Sequence, residues 1–399
     1  MDVTDRLTEV LKTSFLALLV WILFGLTACG TLTPSTNAGP VMAVGVSDDG
    51  RYAISSHRNN RLILWNLEEE SYREIADDAN IYSAFFVPKR DAFLWQDLND
   101  QVRVQSVDGE VLKTFDHFPT YGHAIDSTFE KYLSSDDRWN LFSGYGEDKK
   151  SVLKDGISPS FLGSGKLLNL SFSEERSLLV TAGSGGSVGD AHLYDPVDPD
   201  RRFSKFGGVT LWDTETWEPV ARLGEHSFKT HATISPDGQW VVSVDENGIG
   251  FFWDTDEPEN RQRLARDGLG VMREDSPYES GDDRNWDDSG LIPTPSSSSL
   301  TGSLIGVHFI GGSDYFLRFY NNGHHAALFK TGNPWPQKYF DLGESPELVT
   351  YGSQYSRNTA IATSPQAGVL VMGHRDSGGI SVYEFDEASK TLERTWVAR

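Results

Sequence analysis

The side chains able to do chemistry are few and poorly matched to one another. Among 399 residues there is a single cysteine, Cys29. One thiol excludes an intrachain disulfide and a zinc site built on cysteines, yet it leaves a nucleophile that can be acylated. Residues 267–303 carry Asp267, Glu274, Asp275, Glu279, Asp282, Asp283, Asp287 and Asp288 against Arg273 and Arg284, a local charge of −6. Hard carboxylate oxygens suit calcium. The spacing fits no EF-hand loop, and a solvated acidic loop is the simpler reading. Residues 183–206 open with Gly183-Ser184-Gly185-Gly186, but no Gly-Lys-Ser/Thr follows, so they make no phosphate cradle. His324 and His325 are adjacent; on a strand they face opposite sides and cannot readily share a metal. Gly144-Tyr145-Gly146 offers no serine for a nucleophile elbow. No Ser-His-Asp set can be assembled from chain order, because triads are recognised by geometry. The expectation is no catalytic residue, no metal, no cofactor and no enzyme.

The charge balance narrows the partners. There are 58 Asp and Glu against 35 Lys and Arg, a net charge of −23. That excludes nucleic acid, whose binding is driven by clustered Lys and Arg, and argues against docking on anionic lipid. With 38 glycines, 11 tryptophans, 14 tyrosines and 22 phenylalanines the composition suits a globular β protein.

The first 28 residues stand apart. Arg6 and Lys12 lie in a short polar start, followed by 16 uncharged residues from Thr13 to Ala28. A spanning helix needs roughly 20 apolar residues, so this shorter run reads as an export signal, residues 1–28. Leu26-Thr27-Ala28-Cys29 resembles the lipobox of bacterial lipoproteins. The resemblance implies cleavage before Cys29 and acylation of its thiol, palmitate included, with residues 29–40 as a flexible tether. Gly30 takes the place where that family's sorting pattern has Asp for inner-membrane retention, which implies the outer membrane, with the protein facing the periplasm.

The remainder, residues 41–399, repeats itself. Val44 to Ser55 reads as strand, tight turn, strand, with Asp48-Asp49-Gly50 supplying the positive φ of the turn. A third strand follows at Arg61 to Asn66. Residues 231–254 repeat the plan around Pro236-Asp237-Gly238. Weaker copies fill the intervals and give seven units. Leu211-Trp212-Asp213, Phe252-Trp253-Asp254 and Leu64-Trp65-Asn66 close units 4, 5 and 1, and Gly224-Glu225-His226 precedes unit 5. These units resemble WD40 repeats. The resemblance implies an all-β, seven-bladed β-propeller after the signal helix, with six or eight blades as alternatives and insertions at 183–206 and 267–303. It also implies structural roles for Trp65, Trp212, Asp213, His226, Ser243, Trp253 and Asp254. In the family a turn Asp joins Trp, Ser and His in a hydrogen-bonded tetrad; here Asn247 and Asn59 occupy that place. His123, His226 and His231 are expected as structural groups near blade junctions, and His374 in a loop.

The expected function is recognition: a membrane-anchored scaffold binding a protein partner that carries a basic patch, its bilayer contact made through the acylated N-terminus. The two insertions frame the contact face, and the loop tryptophans Trp286 and Trp335 are candidate partner anchors. A component of an envelope assembly machinery, or a propeller enzyme with a central-channel metal site, are the alternative readings. Intact-mass spectrometry of the protein from its native membrane checks the leader: the expected product begins at Cys29 and carries acyl mass there, whereas a retained Met1 without acyl mass contradicts it.

Overall fold

In a computed structural model the chain divides into Met1–Pro34 and Ser35–Arg399. The described residues lie between 38 and 398, with the longest breaks at 152–166, 265–305 and 343–359 and shorter ones between strands. The leader, Cys29, His226, Asn247 and Trp286 therefore lie outside the described residues.

Among the described residues the chain forms four-stranded antiparallel sheets in strict succession. Blade 1 is β1 (Val41–Val46), β2 (Tyr52–His57), β3 (Leu62–Asn66) and β4 (Ser71–Ala76). Blade 2 is β5 (Phe85–Phe86), β6 (Ala92–Gln96), β7 (Val102–Ser106) and β8 (Val111–Phe115). A short sheet follows: β9 (Gly122–Ile125), β10 (Tyr132–Ser135), β11 (Leu141–Ser143) and β12 (Lys150–Ser151). Blade 4 is β13 (Leu167–Ser173), β14 (Leu178–Gly183), then β17 (Gly208–Asp213) and β18 (Glu218–Glu225); between β14 and β17 a separate hairpin pairs β15 (Leu193–Tyr194) with β16 (Arg202–Phe203). Blade 5 is β19 (Thr230–Ile234), β20 (Trp240–Asp245), β21 (Gly250–Asp254) and β22 (Gln262–Arg263). Blade 6 is β23 (Gly306–Ile310), β24 (Tyr315–Tyr320), β25 (His325–Lys330) and β26 (Pro336–Asp341). Blade 7 is β27 (Ile361–Ser364), β28 (Val369–Gly373), β29 (Ile380–Asp386) and β30 (Thr391–Val397).

This is an all-β propeller of six blades, which corrects the expectation of seven and agrees with the alternative count of six; the numbers given to the blades follow the order of the sheets along the chain. Six sheets are full-sized. The sheet β9–β12 is reduced to strands of four, four, three and two residues.

Buried apolar clusters sit between neighbouring blades. Ile125 of the reduced sheet packs with Val87, Leu94 and Val104 of blade 2. Val180, Leu211 and Leu223 of blade 4 pack with Ala232, Val241 and Trp253 of blade 5. Each fully buried large side chain contributes ~1.5–3 kcal/mol, so these interlayers carry the fold.

The first turn of each blade is hydrogen-bonded to the next. Asp48 Oδ2 accepts the Lys89 N–H (2.6 Å), and the Arg90 Nε–H donates to Ser127 O (2.9 Å). Ser127 N–H and Oγ–H both donate to Glu174 Oε1 (3.0 and 2.6 Å), while Glu174 Oε2 pairs with Lys89 Nζ (2.9 Å). Ser173 Oγ–H donates to Pro236 O (3.2 Å), and the Asp237 N–H to Ser313 Oγ (3.3 Å). Gly312 N–H donates to Pro365 O (2.7 Å), and Ser364 Oγ–H returns to Asp48 O (2.5 Å). The belt is closed, so all the first turns share one rim. The motif Ser-x-Asp-Gly-x-aromatic shapes two of them alike. Ser47 Oγ accepts the Tyr52 N–H and Ser235 Oγ the Trp240 N–H, both at 2.9 Å. Gly50 and Gly238 hold φ of +72° and +73°, where a side chain is strained.

The ring closes without an exchanged strand: the first sheet is built only from β1–β4 and the last only from β27–β30. Ala38, Val41, Ile63 and Trp65 pack with Val371, Val382, Trp396 and Ala398, so the first and last sheets share one buried cluster. The Val41 N–H donates to His374 O (3.0 Å). A Cβ on Gly373 would collide with the Val41 side chain. Gly373→Ala is therefore expected to cost ~1–3 kcal/mol, read as a lower denaturant midpoint at unchanged slope; a midpoint equal to wild type contradicts this packing.

Candidate functional site: the loop rim

Because strands alternate in direction, the connections from second to third strand and from one blade to the next lie on the rim opposite the belt. All the longest connections leave from that rim: 152–166 before β13, 184–207 around the β15–β16 hairpin, 265–305 before β23 and 343–359 before β27. One rim is short turns tied to each other; the other receives the inserted chain. Both expected insertions belong to this loop rim by their flanking strands.

The base of the loop rim is fixed by its own hydrogen bonds. Asp97, 2 % exposed, accepts the N–H groups of Asn99 (2.8 Å) and Gln101 (3.0 Å) and the Arg103 Nη2–H (2.8 Å). Arg103 lies 4.8 Å over the Trp95 ring. This turn presents Leu98, 59 % exposed, its N–H donating to Asp78 O (2.9 Å). A large apolar side chain held out on a hydrogen-bonded turn is a candidate contact residue that sequence reasoning missed; no periodicity marks a single leucine in a polar turn.

Trp65, Trp212 and Trp253 are buried, each close to strand end as the repeat pattern expects. The Trp65 Nε1–H donates to Ser55 Oγ (2.8 Å), Ser55 Oγ–H to His57 Nε2 (2.8 Å), and His57 Nδ1–H to Gly39 O (3.0 Å). The Trp212 Nε1–H donates to Thr181 Oγ1 (3.0 Å). Ser243 is buried on β20. Asp213 Oδ1 accepts the N–H groups of Glu215 and Thr216, Asp254 Oδ1 that of Asp256, and Asn66 Oδ1 that of Glu69. The final Asp or Asn of each repeat thus caps the following turn, which explains why Asn serves in blade 1. Sequence reasoning missed His57 as the histidine of blade 1; Ser55-Ser56-His57 was the available signal.

The other histidines spread out. His231 sits at the junction of blades 5 and 6, as expected of a structural group. His123 lies in β9. His325 opens β25, its Nδ1 4.0 Å from Asp341. His324 lies outside the described residues. His374 is in a turn but buried, bonded through Nε2 to Ser381 Oγ (2.8 Å) and through Nδ1 to Ser377 Oγ (3.0 Å). Trp335 is half-buried in the turn between β25 and β26, on the belt rim, with its N–H donating to Asn333 Oδ1 (3.0 Å). Among the described residues no three His, Cys, Asp or Glu are grouped to hold a metal, and no helix is long and apolar enough to cross a membrane.

Residues 27–66 and 217–254 match the family model described as WD domain, G-beta repeat. The two stretches end at Asn66 of blade 1 and Asp254 of blade 5. The chain also resembles the β-propeller domain of Cps50 (Swd1) from Myceliophteria thermophila, with a TM-score of 0.58, 12% identity, and cover of 89% of this chain and 99% of that one. At that identity the likeness concerns the fold. No curated protein matches the chain. The repeats are thus WD40-like and the architecture a β-propeller.

Burial pushes His57 down to about 4; the nearby Arg61 adds to this, against the Gly39 carbonyl, which favours the charged ring. The folded value lies below the ordinary 6.5, so this contribution to stability is complete above pH 6.5 and drains as pH falls towards 4. By pH 5 the loss is ~2 kcal/mol. Urea unfolding at pH 7.5 and 5 is expected to show this loss, reduced in His57→Gln; an equal loss in the variant contradicts the assignment.

Proposed function

We propose that this WD40-like propeller is a protein-binding scaffold that works through its loop rim and is held in the cell envelope by acylation at Cys29. The observation that carries the reading is the division of labour between rims. The belt ties the short turns into a rigid base, and the inserted chain is gathered on the other side. Propellers with WD40 repeats typically serve as protein-interaction scaffolds, and loops carried on a rigid frame are where binding residues concentrate. A preformed frame loses little ordering entropy on association, which favours recognition over chemistry.

The partner is a protein with a basic patch. The net charge of −23 raises its local concentration near the surface, and the stretch 267–303 is the most acidic of the inserted segments by sequence. The leader supports an envelope location, with the acylated Cys29 tethering the propeller on the periplasmic side of the outer membrane. Several acyl chains hold a protein stably, at ~0.8 kcal/mol per buried CH₂.

Deleting residues 274–300, or replacing Leu98→Glu, is expected to leave thermal unfolding near wild type and to reduce recovery of the crosslinked partner from envelope extracts at least about tenfold, a loss of ~1.4 kcal/mol. Leu112→Glu on β8, away from the rim, serves as the control and is expected to change nothing. Recovery that survives both rim changes contradicts the reading.

A further inference from the structure

Blades 5 and 6 meet through two imidazoles. His231 of β19 and His308 of β23 have ring centroids 5.2 Å apart, inclined at 42°. His231 Nδ1 accepts the backbone N–H of Val307 across the junction (3.3 Å), so its proton sits on Nε2. His308 Nε2 is buried with no hydrogen-bond partner, and its ring edges against Phe319 at 5.8 Å. Gly306, the first residue of β23, has φ +134°, and a Cβ there would lie 3.2 Å from the His231 ring. The start of β23 is thus pressed onto one histidine and bonded to it, with the second histidine two residues on.

We propose that the His231–His308 pair is a proton-operated release for the junction between blades 5 and 6. A proton taken from solvent at His231 Nδ1 turns the acceptor into a donor. It then confronts the Val307 N–H, and the bond across the junction is lost. Among the described residues the cation would also face the second imidazole, with no carboxylate bonded to it. Of the elements packed on β19, β20 sets Val244 opposite His231 and Asp245 opposite Thr230, on the other face of the sheet; β13 and β14 carry no titratable side chain, and Asp213 of β17 lies at the belt-rim end, where it caps the following turn. From β24, Leu317 stands opposite His308 and the buried Arg318 opposite Val307; a guanidinium does nothing to stabilise an imidazolium. β27 (Ile361–Ser364) carries no titratable side chain. Burial holds both histidines below their ordinary value, His231 at about 4, and His308 is lowered further by His231.

Hydrogen exchange of the full chain at pH 7.5 and 5.0, with times scaled to the intrinsic rate, tests this. With His231 moving from about 4 when packed to an ordinary 6.5 when open, opening at residues 230–234 and 306–310 is expected to rise about 30-fold at pH 5.0. The strands β6 and β7 of blade 2 carry no histidine and, measured in the His57→Gln background so that the response of blade 1 does not enter, are expected to change less than the junction. His231→Asn keeps an acceptor but cannot take the proton, and is expected to lose the acid response. Unchanged protection at the junction, a response shared equally by blade 2, or a response that persists in His231→Asn overturns the proposal. Should His231→Asn not fold, the contrast between the junction and blade 2 decides.

Discussion

Ring closure between the last blade and the first is the constraint on which the rest depends. No covalent bond and no exchanged strand joins them. The seam is held by one apolar cluster that includes Ala38 and Ala398, and by hydrogen bonds such as Val41 to His374 and Ser364 to Asp48. Each such bond is worth ~1 kcal/mol net, whereas the ten Val, Ile and Trp side chains of the cluster contribute ~1.5–3 kcal/mol apiece. The packing decides, and the bonds set the register. This fits the tight approach of Gly373 to Val41 and of Gly50 to Ala367 and Val369: the two end blades mesh closely where packing holds the seam.

A closed ring divides its surface unevenly. The belt of first turns needs short connections of fixed geometry, since each turn offers a hydrogen-bonding group to the next. Inserted residues there would break the circuit. The opposite rim is under no such demand, and long connections cost only slowly more entropy as they lengthen. The gathering of insertions on one rim follows from the way the other is tied, and it leaves the free rim as the surface where this chain can acquire a partner.

Much of this was legible in the sequence, for identifiable reasons. Ser-x-Asp-Gly-x-aromatic turns and Trp-Asp endings mark blades 1 and 5 because each residue in them has a local bond to make, and local bonds leave local patterns. The sheet β9–β12 was legible as a weak copy of the repeat, but its small size was not, since short strands of mixed composition have little periodicity. Equally hidden were the partners that lie far apart in sequence: Lys89 with Glu174, Ser364 with Asp48, His231 with His308. His57 was missed because the repeat pattern directs attention to a histidine ahead of the blade, while blade 1 takes its histidine from the end of its own second strand. Leu98 carries no pattern at all.

Recognition through the loop rim is the central claim. Site-specific photocrosslinking in intact cells addresses it most directly, with the probe placed at Leu98 on the loop rim and, separately, at Thr331 in the turn between β25 and β26 on the belt rim. The account predicts a discrete crosslinked protein from position 98 and none from position 331. Crosslinks from position 331 alone, or none from either, would contradict it.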